Sequence, residues 1–115
     1  MDKIDFLTKK VIEFRDAREW KQFHNPKDIA VSLALEASEV LEHFQWRNGQ
    51  DLEEYIKSHK SHLADELADV LYWILLMSHD LDIDIADALE QKLIKNAEKY
   101  PIEKAKGSYA KYDQL

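Results

Sequence analysis

The spacing of apolar residues predicts helices along almost the whole chain. Apolar side chains recur at intervals of three and four residues, as at Ile4, Leu7, Val11 and Phe14, which is the pattern of an amphipathic helix. Four long helices are predicted, over residues 2–19, 26–46, 61–81 and 85–100, with a short helix or one extra turn over residues 51–58. The predicted fold class is therefore all-α, of the four-helix-bundle type.

Helix start and stop signals support these boundaries. Asn25 before Pro26 is a strong start, because it supplies an N-cap and a proline at the first helical position. Residues 48–49, an Asn-Gly pair, are predicted to stop the second long helix. Either Asp82 or Asp84 is expected to cap the last long helix.

The chain length predicts the number of domains, and the third long helix predicts oligomerisation. A single domain is predicted over residues 1–115, with a polar C-terminal tail over about 101–115. From Leu67 to Met77 the third long helix is apolar on nearly all sides, as in a helix enclosed by neighbours. In so small a domain this favours burial by another copy, and we expect a homodimer or a homotetramer (a dimer of dimers).

The composition excludes several classes of protein. The chain has no cysteine, which excludes disulfides, zinc-thiolate sites and thiol catalysis. Its net charge of −7 argues against binding to a nucleic acid polymer. No apolar run approaches the roughly 20 residues of a membrane span, and the N-terminus lacks the apolar segment of a signal peptide. We therefore expect a cytoplasmic protein with no membrane partner.

Two pairs of acidic residues with the same spacing are the candidate chemistry. Glu36 and Glu39 are three residues apart in the second long helix, and Glu66 and Asp69 are three residues apart in the third. Each pair projects from one helix face, and four carboxylates brought together would need cations between them. Oxygen ligands favour Mg²⁺ or Mn²⁺. The alternative is that both pairs are solvated acids on helix surfaces.

The sequence around the two acidic pairs resembles that of a known protein family. The sequence is similar to the all-α nucleoside triphosphate pyrophosphohydrolases of the MazG-like superfamily, whose ExxE and ExxD motifs match the two acidic pairs. Within it, the sequence resembles the dCTP pyrophosphatase group over longer stretches. These are REWKQFHNPKD at 18–28, LEASEVLEHFQW at 35–46, ELADVL at 66–71 and KNAEKYP at 95–101.

The resemblance implies hydrolysis of a nucleoside triphosphate between its α- and β-phosphates, with dCTP or a 5-modified dCTP preferred. It implies that Glu36, Glu39, Glu66 and Asp69 hold Mg²⁺, for which Mn²⁺ is a possible substitute. It also implies three residues that face the phosphates or the sugar, namely Lys92, Asn96 and Lys99. The alternatives are the same chemistry on dUTP, dTTP or many dNTPs, and a non-catalytic helical oligomeric binding module.

The resemblance also implies an aromatic base pocket. Trp20 and Trp46 match the positions that sandwich the pyrimidine in this group, and His24 is a candidate lining residue. Trp73 lies one helical turn after Asp69 and is expected to pack on the deoxyribose. Val11 stands where some members have a histidine, and Trp73 stands in place of a tyrosine; these two departures leave the identity of the base open.

Overall fold

The chain folds into helices joined by short connections. The structure, a computed structural model, describes residues 2–114, apart from the side chain of Tyr112. The helices are α1 (Lys3–Ala17), α2 (Pro26–Glu42), α3 (Gly49–Ser58), α4 (Lys60–Asp80), α5 (Ile85–Lys99) and α6 (Ile102–Ala105). Short 3₁₀ turns occupy Lys21–Phe23 and Tyr112–Gln114, and the described residues include no strand. The predicted all-α fold class is confirmed.

Local capping accounts for where α2 and α5 begin. The side chain of Asn25 accepts a hydrogen bond from the backbone N–H of Asp28 at 3.0 Å, as the predicted start of α2 requires. At α5, Asp84 accepts one from the backbone N–H of Asp87 at 3.1 Å. Asp84 is therefore the cap, whereas Asp82 lies in the preceding turn with φ at +55°.

The second helix ends earlier than the sequence predicts. α2 stops at Glu42 rather than near Trp46, because the chain tightens into turns bonded three residues back. The backbone N–H of Phe44, for example, donates to the carbonyl of Leu41 at 2.9 Å. Residues 48–49, predicted to stop α2, instead begin α3, and their glycine has φ at +56°, a conformation in which glycine is unstrained.

The described chain forms two compact units, which divide after Asp82. In the first unit α4 is central: α2 and α1 pack along it, and α3 contacts it. The core of this unit includes Ile29 of α2 with Leu75 and Leu76 of α4, which are all at most 2% exposed. The second unit carries α5 and α6.

The sequence predicts one domain with a polar tail, whereas the described chain forms two compact units. One domain over residues 1–115 stays a prediction. Within the tail predicted over 101–115, the structure forms the short helix α6 and the second 3₁₀ turn. None of the helices described over residues 2–114 has the length and apolar character needed to cross a membrane.

A buried ion pair that the sequence pattern does not reveal joins α1 to the end of α4. Arg15 is only 1% exposed, and it donates to both carboxylate oxygens of Asp80, at 2.7 and 2.9 Å. Burial by itself would raise the pKa of Asp80, but the hydrogen bonds and charge of Arg15 outweigh it, so that this pKa is lowered. The pair ties together two helices whose contacting residues are 65 positions apart.

Several apolar side chains of α2 and α4 are exposed in the single chain. Leu35 and Leu41 of α2 and Leu67 of α4 are each more than half exposed, and Leu71 is exposed as well. The chain's own helices therefore leave part of the apolar surface of α4 open to solvent. This agrees with the expectation that another copy covers it, and the homodimer or homotetramer stays a prediction.

Candidate metal centre and substrate pocket

The four predicted acids lie together where α2 packs along α4. Glu36 and Glu39 come from α2, and Glu66 and Asp69 come from α4. The charges of the other three carboxylates all raise the pKa of Glu36. The four side chains are therefore close enough to interact electrostatically. The same-face spacing within each helix and the packing of the two helices together produce this arrangement.

Glu36 is the most perturbed member of the cluster. Burial is the largest cause that raises its pKa, followed by the charge of Glu39, a hydrogen bond with Glu39, and the charges of Asp69 and Glu66. Each of these causes penalises the ionised form of Glu36. A bound cation would reverse the penalty, because it favours ionised carboxylates.

Two oxygens in the cluster fit a metal ion. Oε2 of Glu36 and Oε2 of Glu66 are both buried and without a hydrogen-bond partner. A buried polar atom left unpaired costs free energy, and a hard divalent cation would satisfy both oxygens. Since the neighbouring donors are also carboxylate oxygens, the set suits Mg²⁺ or Mn²⁺.

The carboxylates are near one another but do not form a finished metal site. Within residues 2–114, no three carboxylate or imidazole side chains already converge on one point as metal ligands. Ionised carboxylates without a cation between them repel one another. A bound metal ion would offset this repulsion. Their role as ligands stays a prediction.

An open cavity beside the cluster contains residues that the sequence analysis missed. It has a volume of about 260 Å³ and is lined by Glu39, Glu42, His43, Arg47, Tyr55 and Glu66. His43 contacts one of the acids, with its Nε2 3.0 Å from Oε2 of Glu66. A signal was available, since His43 follows Glu39 by four residues and therefore shares its helix face.

Two predicted pocket residues, Trp73 and His24, are in contact. Their rings meet edge to face, with centroids 5.5 Å apart and planes at 72°. His24 is partly buried, and its Nδ1 has no hydrogen-bond partner. Burial, followed by the charge of Arg15, lowers the pKa of His24, which favours the neutral ring. Trp73 follows Asp69, one of the four acids, by one turn of α4.

The two predicted stacking residues are placed separately. Trp20 follows α1 and packs edge to face on Phe14, with ring centroids 5.8 Å apart. Trp46 lies in the turn after α2 and is 83% exposed. The described residues include no ring contact between the two tryptophans. Each has an open ring surface, and their sandwich of a base stays a prediction.

The remaining predicted residues lie elsewhere. Lys92, Asn96 and Lys99 are on α5 in the second unit. Both lysines are exposed and Asn96 is half-buried. Their contact with phosphate or sugar stays a prediction. Val11 lies in the first unit and lines an apolar groove of about 250 Å³ between α1 and α4.

Comparison with known proteins identifies relatives along most of the chain. The family model described as the MazG-like family matches residues 31–115. The dCTP pyrophosphatase 1 proteins of Mus musculus and Homo sapiens are each 30% identical over 105 residues. These matches cover 90% of this chain and 62% of the relatives, so the chain spans less than two thirds of their length.

A solved structure is similar as well. The crystal structure of a pyrophosphatase from Archaeoglobus fulgidus is 37% identical and superimposes with a TM-score of 0.82. The match covers 88% of this chain and 94% of that chain. The similarity therefore includes the fold of nearly the whole chain.

Proposed function

Because the chain belongs to the MazG-like family, we propose that it is a metal-dependent nucleoside triphosphate pyrophosphohydrolase. The observation that carries the proposal is the cluster of four carboxylates, in which one buried oxygen of Glu36 and one of Glu66 have no hydrogen-bond partner. The names of the similar proteins, dCTP pyrophosphatase 1 and a pyrophosphatase, support the same chemistry.

The reaction breaks the bond between Pα and the oxygen that bridges to Pβ. Water adds to Pα, and the products are a nucleoside monophosphate and pyrophosphate. When bound, Mg²⁺ or Mn²⁺ supplies neutralisation of the triphosphate charge and a lowered pKa for the attacking water. Glu36, Glu39, Glu66 and Asp69 would hold the ions, and one of these carboxylates would accept the proton that the water loses.

We propose dCTP or a 5-modified dCTP as the preferred substrate. The names of the curated relatives support this choice, as does the contact of His24 with Trp73, which lies one turn after Asp69 on α4. An aromatic surface at that position suits a deoxyribose or a base. Lys92, Asn96 and Lys99 are proposed to bind the phosphates or the sugar. Val11 makes dUTP, dTTP or a broad set of dNTPs the alternative.

Hydrolysis of a panel of dNTPs and NTPs, with Mg²⁺, with Mn²⁺ or with EDTA, tests the proposal. We expect monophosphate and pyrophosphate in equal amounts, only with metal, and fastest from dCTP or 5-methyl-dCTP. Asp69→Asn should abolish turnover, whereas the matched control Asp65→Asn, an exposed acid on the same helix, should keep it. A faster reaction with another nucleotide would support the proposed reaction but contradict the proposed substrate preference. No hydrolysis with either metal would favour the non-catalytic binding module.

A further inference from the structure

Three side chains form a continuous line from α3 to the acidic cluster. The hydroxyl of Tyr55 on α3 is hydrogen-bonded to Nδ1 of His43, which follows α2. On the opposite side of the imidazole, Nε2 lies 3.0 Å from Oε2 of Glu66 on α4. The line therefore ends on one of the proposed metal ligands.

Tyr55, at the α3 end of this line, is held in place by two neighbouring side chains. The guanidinium carbon of Arg47 lies 3.7 Å from the centre of the Tyr55 ring. The His59 ring stacks on the same tyrosine at 4.0 Å, with the two planes 11° apart. Two groups this close cannot share one face of a six-membered ring, so Tyr55 lies between them. Its hydroxyl consequently has little freedom to leave His43.

The hydrogen-bonding chemistry of the three groups determines which nitrogen of His43 carries the hydrogen. A carboxylate only accepts hydrogen bonds, so a hydrogen on the His43 nitrogen that faces Glu66 makes this contact favourable, whereas a lone pair there makes it repulsive. In the neutral ring Nδ1 is then an acceptor, which is the role that a donating Tyr55 hydroxyl requires. The reverse tautomer would aim a nitrogen lone pair at the carboxylate. Tyr55 thus selects the form of His43 that presents Nε2–H to Glu66.

The contact between His43 and Glu66 is electrostatic and not yet a fully formed hydrogen bond. Oε2 of Glu66 accepts no hydrogen bond of standard geometry, although Nε2 of His43 lies 3.0 Å away. Both side chains are largely shielded from solvent, His43 at 13% and Glu66 at 26% exposed. Rotation of the carboxylate toward the ring N–H would complete this hydrogen bond. Each carboxylate oxygen has two lone pairs, so this contact leaves room for a cation.

We propose that His43 is a positioning residue, oriented by Tyr55, that fixes the Glu66 carboxylate for metal binding. This inference rests on the proposed metal-dependent function. Partners that orient metal ligands are commonly worth a factor of about 10–100 in metal affinity or activity. Restricting Glu66 to few orientations before the metal arrives reduces the conformational entropy that binding must remove.

Binding of Mn²⁺ to the metal-free, nucleotide-free protein tests this role without any measurement of activity. Titration followed by electron paramagnetic resonance gives the Kd of each variant. We expect His43→Leu to weaken Mn²⁺ binding by about 10–100-fold, and Tyr55→Phe to weaken it less, since the ring contacts of Tyr55 remain. His43→Gln should restore most of the affinity, because an amide N–H can occupy the position of Nε2.

The matched control is His79→Leu. His79 is an exposed histidine on α4, thirteen residues beyond Glu66 and therefore about 20 Å along the helix. This variant should bind Mn²⁺ as the wild type does. Thermal unfolding of every variant in EDTA separates an effect on folding from an effect on the site.

A His43→Leu protein that folds and keeps wild-type Mn²⁺ affinity would overturn the proposal, even if its unfolding temperature fell. If His43→Leu does not fold, unchanged Mn²⁺ affinity in Tyr55→Phe would overturn it instead. Failure of the proposed function would look different, because the wild-type protein itself would then bind no Mn²⁺.

Discussion

The buried pair of Arg15 and Asp80 predicts a large and specific loss of stability. Asp80→Ala removes both hydrogen bonds to a guanidinium that is 1% exposed. Breaking a buried pair by removing one partner costs about 3–5 kcal/mol, because the remaining charge has no compensation. The Asp80 side chain is 18% exposed, so that water can partly replace it. We therefore expect the low end, about 3 kcal/mol.

Denaturant and thermal unfolding at one fixed protein concentration measure this loss. For a chain of 115 residues, a loss of about 3 kcal/mol corresponds to a Tm lower by about 12 °C. The matched control is Asp16→Ala, because Asp16 also faces Arg15, at 3.8 Å, but is 57% exposed. Exposed ion pairs contribute about 0–1 kcal/mol, so this control should unfold nearly like the wild type.

A double variant tests the reasoning behind the magnitude. Arg15→Met with Asp80→Leu removes both charges and leaves apolar groups of similar volume, so it should be more stable than Asp80→Ala. The explanation would be refuted if Asp80→Ala lost less than about 1 kcal/mol. It would equally be refuted if the double variant were no better than the single one, since an uncompensated charge would then not be the cause.

The same pair predicts a dependence on pH. Burial raises the pKa of Asp80, but the hydrogen bonds and charge of Arg15 outweigh that effect and lower it below its ordinary value. The stabilisation is therefore complete above the unfolded pKa of about 3.9. It is lost as the pH falls through the lowered pKa of the folded state. The difference in stability between wild type and Asp80→Ala should be constant near neutrality and shrink in acid; a constant difference throughout would contradict this.

Three further changes test the site and the assembly. Glu36→Gln should abolish metal-dependent turnover but leave the metal-free protein as stable as the wild type or more so, because it removes carboxylate repulsion; a lower Tm in EDTA would argue against the cluster. Trp46→Ala, at an 83% exposed position, should raise KM with unchanged Mn²⁺ affinity, and an unchanged KM would remove Trp46 from the pocket. Leu67→Asp, at a 58% exposed position, should dissociate the predicted oligomer in analytical ultracentrifugation; an unchanged mass would exclude this face as the interface.

The candidate site is partly readable from the chain itself and partly not. The i,i+3 spacing of Glu36 with Glu39, and of Glu66 with Asp69, determines that each pair shares a helix face. The cluster exists only because α2 packs along α4. Tyr55 on α3 is hydrogen-bonded to His43, twelve residues earlier in the chain. No spacing pattern in the sequence indicates this contact.

Local interactions explain what the sequence alone determined. Helix identity, the Asn25 cap and the all-α class depend on residues within one turn of one another, and all three are visible in the pattern. The buried pair of Arg15 with Asp80 depends on how the chain closes on itself. Contacts between residues 65 positions apart leave no periodicity in the sequence, because only the packing of folded helices brings such groups together.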